Sequence, residues 1–267
     1  VGTGHGGARD DRVPAVLEML EIPYTGSDPL TLAAALDKDC AKRLVAAAGV
    51  HTPAWTLFDG GVTAQSRAID DLRFPVFAKP AYEGSSKGIL AASVFFEVNA
   101  LMSALEQLHE MYCQPVLIEE FIDGDELTVG VIGNRPAEVL GIMRVLPRVP
   151  SDQPFVYSLE MKRDWQRQLR YDCPASLDAC DSLAVNRAAL ASFAALGCRD
   201  VARIDFRLRD GVPYFLEANP LPGLSPSSGD LVLMAGCLDI DYSALVARIL
   251  DAALQRLSHV VPARSIR

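Results

Sequence analysis

Three runs rich in β-branched and aliphatic residues, PVLIEEF (115–121), ELTVGVIG (126–133) and AEVLGIMRV (137–145), follow one another with only short polar turns between them. Strands joined by so few residues pair antiparallel, because a parallel pair needs a crossover of roughly a dozen residues or more. That excludes a doubly wound nucleotide fold for this part of the chain. Short strand-like runs and amphipathic helical runs alternate elsewhere, so the whole reads as a mixed α/β protein.

Residues 11–20 place Val13, Val16, Leu17 and Leu20 on one helical face. Asp28 followed by Pro29 forms an N-cap and first-turn pair for a second helix; Asp37 caps a third, which Gly49 closes. GVHTPAWTL then reads as a linker into a strand, with a domain boundary near residue 50. Next come a strand at FPVFAKP, a Gly/Ser loop EGSSKG, a strand at ILAASV and a helix over 97–112. The segment 147–175 reads as a polar loop, followed by a helix over 177–195, strands over 201–208 and 213–219, and a helix over 241–258.

The net charge of −9 argues against a nucleic-acid partner, although a few Lys and Arg focused in one cleft can still hold an anionic substrate. No apolar run approaches the roughly 20 residues that span a bilayer. The six cysteines are scattered without a C-x-x-C pair and read as reduced thiols of a cytoplasmic protein. The chain begins VGTGHGGARDD without Met, which suits a processed chain or, as the preferred expectation, one whose N-terminal piece is missing. GTGHGG matches G-x-G-x-x-G, but no strand precedes it, and His5 is its more useful residue. Trp55 and Trp165 carry no reading beyond packing.

The most informative stretch is VARIDFRL-RDG-VPYFLEAN, a hairpin in which Arg203 and Asp205 share one face of the first strand and Glu217 and Asn219 one face of the second. A two-residue Asp-Gly loop would send Asp205 and Glu217 to opposite faces. A three-residue loop Arg209–Gly211, pairing Leu208 with Val212, would bring them together, with Ile204, Phe206, Tyr214 and Leu216 on the apolar side. In that register two carboxylates and a carboxamide make a hard-oxygen site suited to Mg²⁺; the competing reading is a solvated face of Arg–carboxylate pairs. Lys79, at the end of an apolar strand before EGSSKG, suits a phosphate contact, although this is no P-loop. Glu119, Glu120 and Glu126 end and follow another apolar strand, where acids can accept from an adenine amino group and ribose hydroxyls; a solvent-facing IDGD turn is the alternative.

In this order and spacing, HGGARDD, LEIPYTGSDPLTLAAALDKDCAK, KPAYEGSSKG, VLIEEFIDGDELTV, ARIDF and LEANPLPGLSPSS resemble the ATP-grasp superfamily, and more closely the D-alanine–D-alanine ligase family. The resemblance implies an ATP-grasp fold of α/β and α+β parts: a remnant of an N-terminal substrate domain (1–50), a central subdomain (51–125) and a C-terminal catalytic domain (126–267). It implies that Lys38 and Lys79 contact ATP phosphates, Ser85 and Ser86 lie in the loop closing over them, Glu119 meets the adenine amino group, Phe121 and Ile122 form the hinge, and Glu126 holds the ribose. Asp205, Glu217 and Asn219 are then ligands of two Mg²⁺ ions, with Mn²⁺ as an alternative. Arg203 and the Gly223 N–H stabilise an oxyanion, Lys162 reaches the γ-phosphate, Ser228 contacts the acceptor carboxylate and His5 the first substrate.

The implied activity is ATP-dependent carboxylate–amine ligation through an acyl phosphate, with D-alanine–D-alanine ligation for peptidoglycan as the leading instance, amino-acid substrates and a homodimer. Other amino-acid substrates, or an ATP-binding module that no longer ligates, are the alternatives. Three departures bear on the substrate: Arg163 where the family has Tyr, Gly229 and Asp230 after Ser228, and Asn-Pro-Leu-Pro-Gly at the metal turn.

Overall fold

A computed structural model describes residues 11–60, 69–84, 87–149, 154–158, 160–161 and 164–258. Three short helices come first: α1 (Arg12–Met19), α2 (Pro29–Leu36) and α3 (Lys38–Ala47). The caps follow the local sequence. Asp28 accepts from the Thr31 N–H with Pro29 at the first helical position, and Asp37 accepts from the Asp39 and Cys40 N–H groups. Gly49 takes φ +81 just beyond α3. In α1 only Pro14 is buried, and Val13, Val16 and Leu20 of the expected apolar face are exposed.

Strands β1 (Trp55–Phe58), β2 (Val76–Pro80), β3 (Val94–Phe95) and β4 (Val116–Glu120) form a sheet in the order β1-β4-β2-β3, backed by helix α4 (Val98–Tyr112). Alternation decides its two faces. Val76, Ala78, Val116 and Ile118 join Leu101 and Leu105 of α4 in one core, which leaves Phe77, Lys79 and Glu119 on the other face. The strand expected at ILAASV is only the two residues of β3, preceded by a 3₁₀ turn at Ala91–Ser93.

The second sheet holds β5 (Asp125–Gly133), β6 (Ala137–Pro147), β7 (Leu169–Asp172), β8 (Asp200–Arg209) and β9 (Val212–Asn219), all antiparallel, in the order β7-β6-β5-β8-β9. One face packs on α6 (Ala179–Ala195) and on α3, through Leu127, Val129, Ile204, Phe206 and Phe215 against Ala41, Val45, Val185 and Phe193. On the other, α7 (Asp230–Cys237) and α8 (Tyr242–Ser258) bury Leu231, Met234, Leu245 and Ile249 against Met143 and Val201.

Two expectations are corrected. β4 and β5 are consecutive and antiparallel-ready, yet they belong to different sheets, and residues 121–124 carry the chain across. The segment expected as a loop over 147–175 contains a helical turn, α5 (Trp165–Gln168), and the edge strand β7, which extends the second sheet along β6. Helix α7 went unpredicted because, after Asp230, LVLMAGC carries no polar face and shows no helical period.

Candidate active site

The site is built around the β8–β9 hairpin, whose turn is not the three-residue loop expected to bring its carboxylates together. Asp210 and Gly211 both take positive φ, 52 and 77, and make a two-residue turn that pairs Leu208 with Pro213 and Arg209 with Val212. Continued regularly, that register would separate Asp205 from Glu217. A β-bulge intervenes: Phe206 pairs with Phe215 but Asp205 with Glu217, so Leu216 is the extra residue on β9. The bulge returns Asp205 to Glu217 and Arg203 to Asn219. The two-residue register itself puts Phe215 beside Phe206 on the apolar side, Tyr214 opposite Arg207 and Leu216 towards the cleft.

On this face the Arg203 guanidinium is the hub. Its Nη2 lies 2.9 Å from Asp205 Oδ2 and 3.7 Å from Glu217 Oε1, and its Nη1 2.7 Å from Asp230 Oδ2. Burial alone would lower its pKa, but the three carboxylates hold it above the ordinary arginine value. Thr128 on β5 donates to Asp205 Oδ1 at 3.0 Å, and the Asn219 carboxamide lies 3.2 Å from Glu217 Oε1 and 3.5 Å from Asp205 Oδ2. Two carboxylates and a carboxamide thus converge with negative charge in excess of the single guanidinium. That donor set fits a hard divalent cation such as Mg²⁺. Among the described residues no group of three or more His, Cys, Asp or Glu could hold a metal by itself, so phosphate and water oxygens would have to complete the coordination.

Three buried lysines lie nearby, one beside the hairpin and two on Glu119 of the other sheet. Lys38, at the start of α3, donates to the Glu83 carbonyl and lies 4.0 Å from Glu217 Oε2. Burial lowers its pKa and Glu217 opposes the change. Lys79 Nζ lies 2.6 Å from Glu119 Oε1, while Lys42, buried completely, lies 2.7 Å from Glu119 Oε2 and donates to Thr52 Oγ1. Burial pushes the Glu119 carboxyl up, but the two lysines outweigh it and hold the pKa below the ordinary value. Glu119, the carboxylate expected at the adenine amino group, lines the cleft and anchors Lys79. Lys42 was missed as part of the site.

The cleft between the sheets is lined by Phe77, Lys79, Glu120, Phe121, Ile122, Glu126, Arg207, Leu216 and Glu217. Phe121 and Ile122 lie on the connection between sheets, where a hinge was expected. Glu126 is held by Arg207 at 2.7 Å, and Arg207 stacks on Phe121 at 5.1 Å and Phe155 at 5.9 Å. Arg207 also donates to the Gly124 carbonyl at 3.0 Å, so the residue expected at the ribose has a fixed neighbour that the sequence reading overlooked.

A second cavity opens beyond Arg203 and Asn219, lined by Gly223, Ser228, Gly229, Asp230, Tyr157, Trp165 and Tyr171. A Cβ on Gly229 would lie 2.4 Å from the Gly223 carbonyl oxygen, so glycine there lets Ser228 and Asp230 close on the Gly223 turn. Gly130 does the same beneath α7: a Cβ would meet Leu231 Cδ2 at 2.7 Å, and this close approach sets Asp230 beside Arg203, the β8 partner of Gly130. Trp165, expected only to pack, lines the cavity with its ring 5.7 Å from that of Tyr171. His5, Ser85, Ser86, Lys162 and Arg163 lie outside the described residues.

Two antiparallel sheets facing each other across a cleft, with buried lysines on one side and a carboxylate–carboxamide hairpin on the other, define an ATP-grasp fold. Residues 44–251 match the family model described as "D-ala D-ala ligase C-terminus". The chain is 37% identical over 249 residues to an uncharacterized protein of Sinorhizobium fredii, covering 93% of this chain and 71% of that protein. It is also 37% identical over 256 residues to the D-alanine–D-alanine ligase of Alcanivorax borkumensis, covering 94% and 76%. Among solved structures, the D-alanine–D-alanine ligase of Bacillus anthracis complexed with ATP superposes with a TM-score of 0.78 at 28% identity, covering 94% of this chain and 77% of that one. The D-Ala:D-Ser ligase of Enterococcus faecalis gives 0.76 at 26% identity, covering 93% and 71%. The chain belongs to the D-alanine–D-alanine ligase family, whose chemistry is ATP-dependent, ADP-forming carboxylate–amine ligation.

Proposed function

We propose that the reaction joins the carboxylate of one D-alanine to the amine of a second, by way of an acyl phosphate. The observation that carries the reading is the set Arg203, Asp205, Glu217 and Asn219 on one face of a hairpin, with Lys38 4.0 Å from Glu217 and Lys79 facing them across the cleft. Leu216, Phe77 and Ile122 supply apolar contacts for the adenine, and Glu126 takes a ribose hydroxyl. Lys38 and Lys79 neutralise the phosphates. Asp205, Glu217 and Asn219 would hold two Mg²⁺, which when bound offset charge on the transferring phosphoryl group.

The donor carboxylate oxygen attacks the γ-phosphorus, the bond to the bridging oxygen breaks, and ADP leaves. The amine then attacks the acyl carbon while Arg203, with the Gly223 N–H, faces the oxygen on which negative charge develops. Inorganic phosphate departs with the electrons of the broken C–O bond. Lys162, Ser85 and Ser86 close over the phosphates, His5 meets the first substrate and Ser228 the acceptor carboxylate. The residue divisions 1–50, 51–125 and 126–267, a cytoplasmic location and a homodimer belong to this reading.

A second reading keeps the chemistry with a different amino acid, and Gly229 and Asp230 beside Ser228 favour it. ADP release measured across a panel of D- and L-amino acids tests both. Release that saturates with D-alanine supports the first, and release with other amino acids but none with D-alanine replaces it with the second. Nucleotide binding without release for any pair removes ligation altogether.

A further inference from the structure

Asp230 has no part in the ligation scheme, yet its contact with Arg203, the residue at its centre, is shorter than the hydrogen bonds Arg203 makes to Asp205. Its Oδ2 lies 2.7 Å from Arg203 Nη1, and both side chains are 12% exposed. It lines the cavity beyond the reaction centre together with Tyr157, Trp165 and Tyr171. Burial raises the pKa of both tyrosines and the Asp230 charge raises it further, so their phenols stay neutral. Their hydroxyls lie 3.2 Å apart.

An amine acceptor arrives in neutral water as an ammonium ion and must come close to a guanidinium. Two like charges a few ångströms apart repel unless an anion sits between or beside them. Among the described residues lining this cavity Asp230 is the one anion and Arg203 the one cation. Aromatic faces around it add attraction for a cation. We propose that Asp230, with the wall formed by Tyr157, Trp165 and Tyr171, binds the ammonium group of the acceptor and holds its nitrogen beside Arg203. The proposal rests on the ligase reading and names what that reading leaves open, the recognition of the acceptor's charge. The bound ammonium gives up one proton to water before attack. The nitrogen lone pair forms the C–N bond, the C–O bond to phosphate breaks with its electrons on phosphate, and the second proton leaves with the departing phosphate or to water.

Asp230→Asn separates this role from a merely structural one when the acyl phosphate is captured by two acceptors, D-alanine and hydroxylamine, the second uncharged near neutral pH. A hydrogen bond to a charged group corresponds to about a ten- to hundredfold effect. The KM for the ammonium acceptor rises by that factor relative to the KM for hydroxylamine, over any loss of kcat that the two acceptors share through Arg203. Equal losses with both acceptors overturn the proposal, because Asp230 then acts only by holding Arg203. Should the variant fail to fold, the unaltered protein decides: N,N-dimethyl-D-alanine, a non-nucleophilic ammonium, competes with the acceptor, and neutral-nitrogen N-acetyl-D-alanine does not. Equal inhibition by the two refutes it. Hydroxamate without this discrimination removes the proposal alone, whereas neither ADP nor hydroxamate from the unaltered protein removes the ligase reading and the proposal with it.

Discussion

Replacing Lys42 by Met leaves a side chain of similar length in a fully buried position and removes one ammonium from the Glu119 cluster. Burial, opposed by Glu119, lowers the Lys42 pKa from 10.5 to about 8. The sign follows from proton binding. The unfolded chain keeps the Lys42 proton up to about pH 10.5 and the folded protein only to about pH 8, so within that window the unfolded state holds one proton more. Unfolding free energy therefore rises with pH by about 1.4 kcal/mol per unit, or about 3 kcal/mol across the window. Below pH 8 the protein bears the whole destabilisation, and above 10.5 it bears none.

Urea unfolding under reducing conditions, followed by fluorescence of Trp55, whose ring centroid lies 5.4 Å from Lys42 Nζ, reads this directly. The difference in stability between the unaltered protein and Lys42→Met should climb by about 3 kcal/mol from pH 8 to 10.5, equivalent to roughly 6–12 °C in Tm for a chain of this size. In the variant Glu119 keeps Lys79 at 2.6 Å, so the carboxylate is not abandoned. Parallel pH profiles for the two proteins would refute the reasoning, since they would mean that Lys42 carries no depressed pKa.

Asp205→Asn removes a carboxylate from the convergent set and should cut ADP formation by about a hundredfold or more in kcat, read in a coupled assay, with the adenine contacts intact. Leu216→Ala deletes the bulged apolar contact in the cleft and should raise the KM for ATP by about five- to twentyfold at nearly constant kcat. Asp200→Ala should lower stability by about 3–5 kcal/mol in a urea titration, because Asp200 is fully buried and its loss strands Arg256, which sits 2.8 Å from it, together with the Gly26 N–H.

Much of the fold was legible because the residues that signal it act locally. Asp28-Pro29 and Asp37 cap helices through hydrogen bonds within a few residues, and the apolar runs at 116–120 and 125–133 read as strands from their own residues. β7 escaped because it is four residues long and is held by β6, more than twenty positions earlier in the chain. Asp230 was visible only as a departure beside Ser228; its contact with Arg203 depends on α7 settling on Gly130, which no short-range pattern announces.

Which chemistry is present follows from the amino-acid sequence: a lysine at the end of an apolar strand, and an Arg-x-Asp opposite a Glu-x-Asn across an Asp-Gly turn. The sequence did not determine how these groups meet. The Asp-Gly turn alone would have parted Asp205 from Glu217, and the bulge at Leu216 reunites them. That Glu119 also anchors Lys79 is decided only when Lys42 of α3 packs beside it. Both outcomes depend on long-range packing: a buried charge seeks its counter-charge wherever the chain brings one, and a strand bends where the opposing sheet and its ladder require.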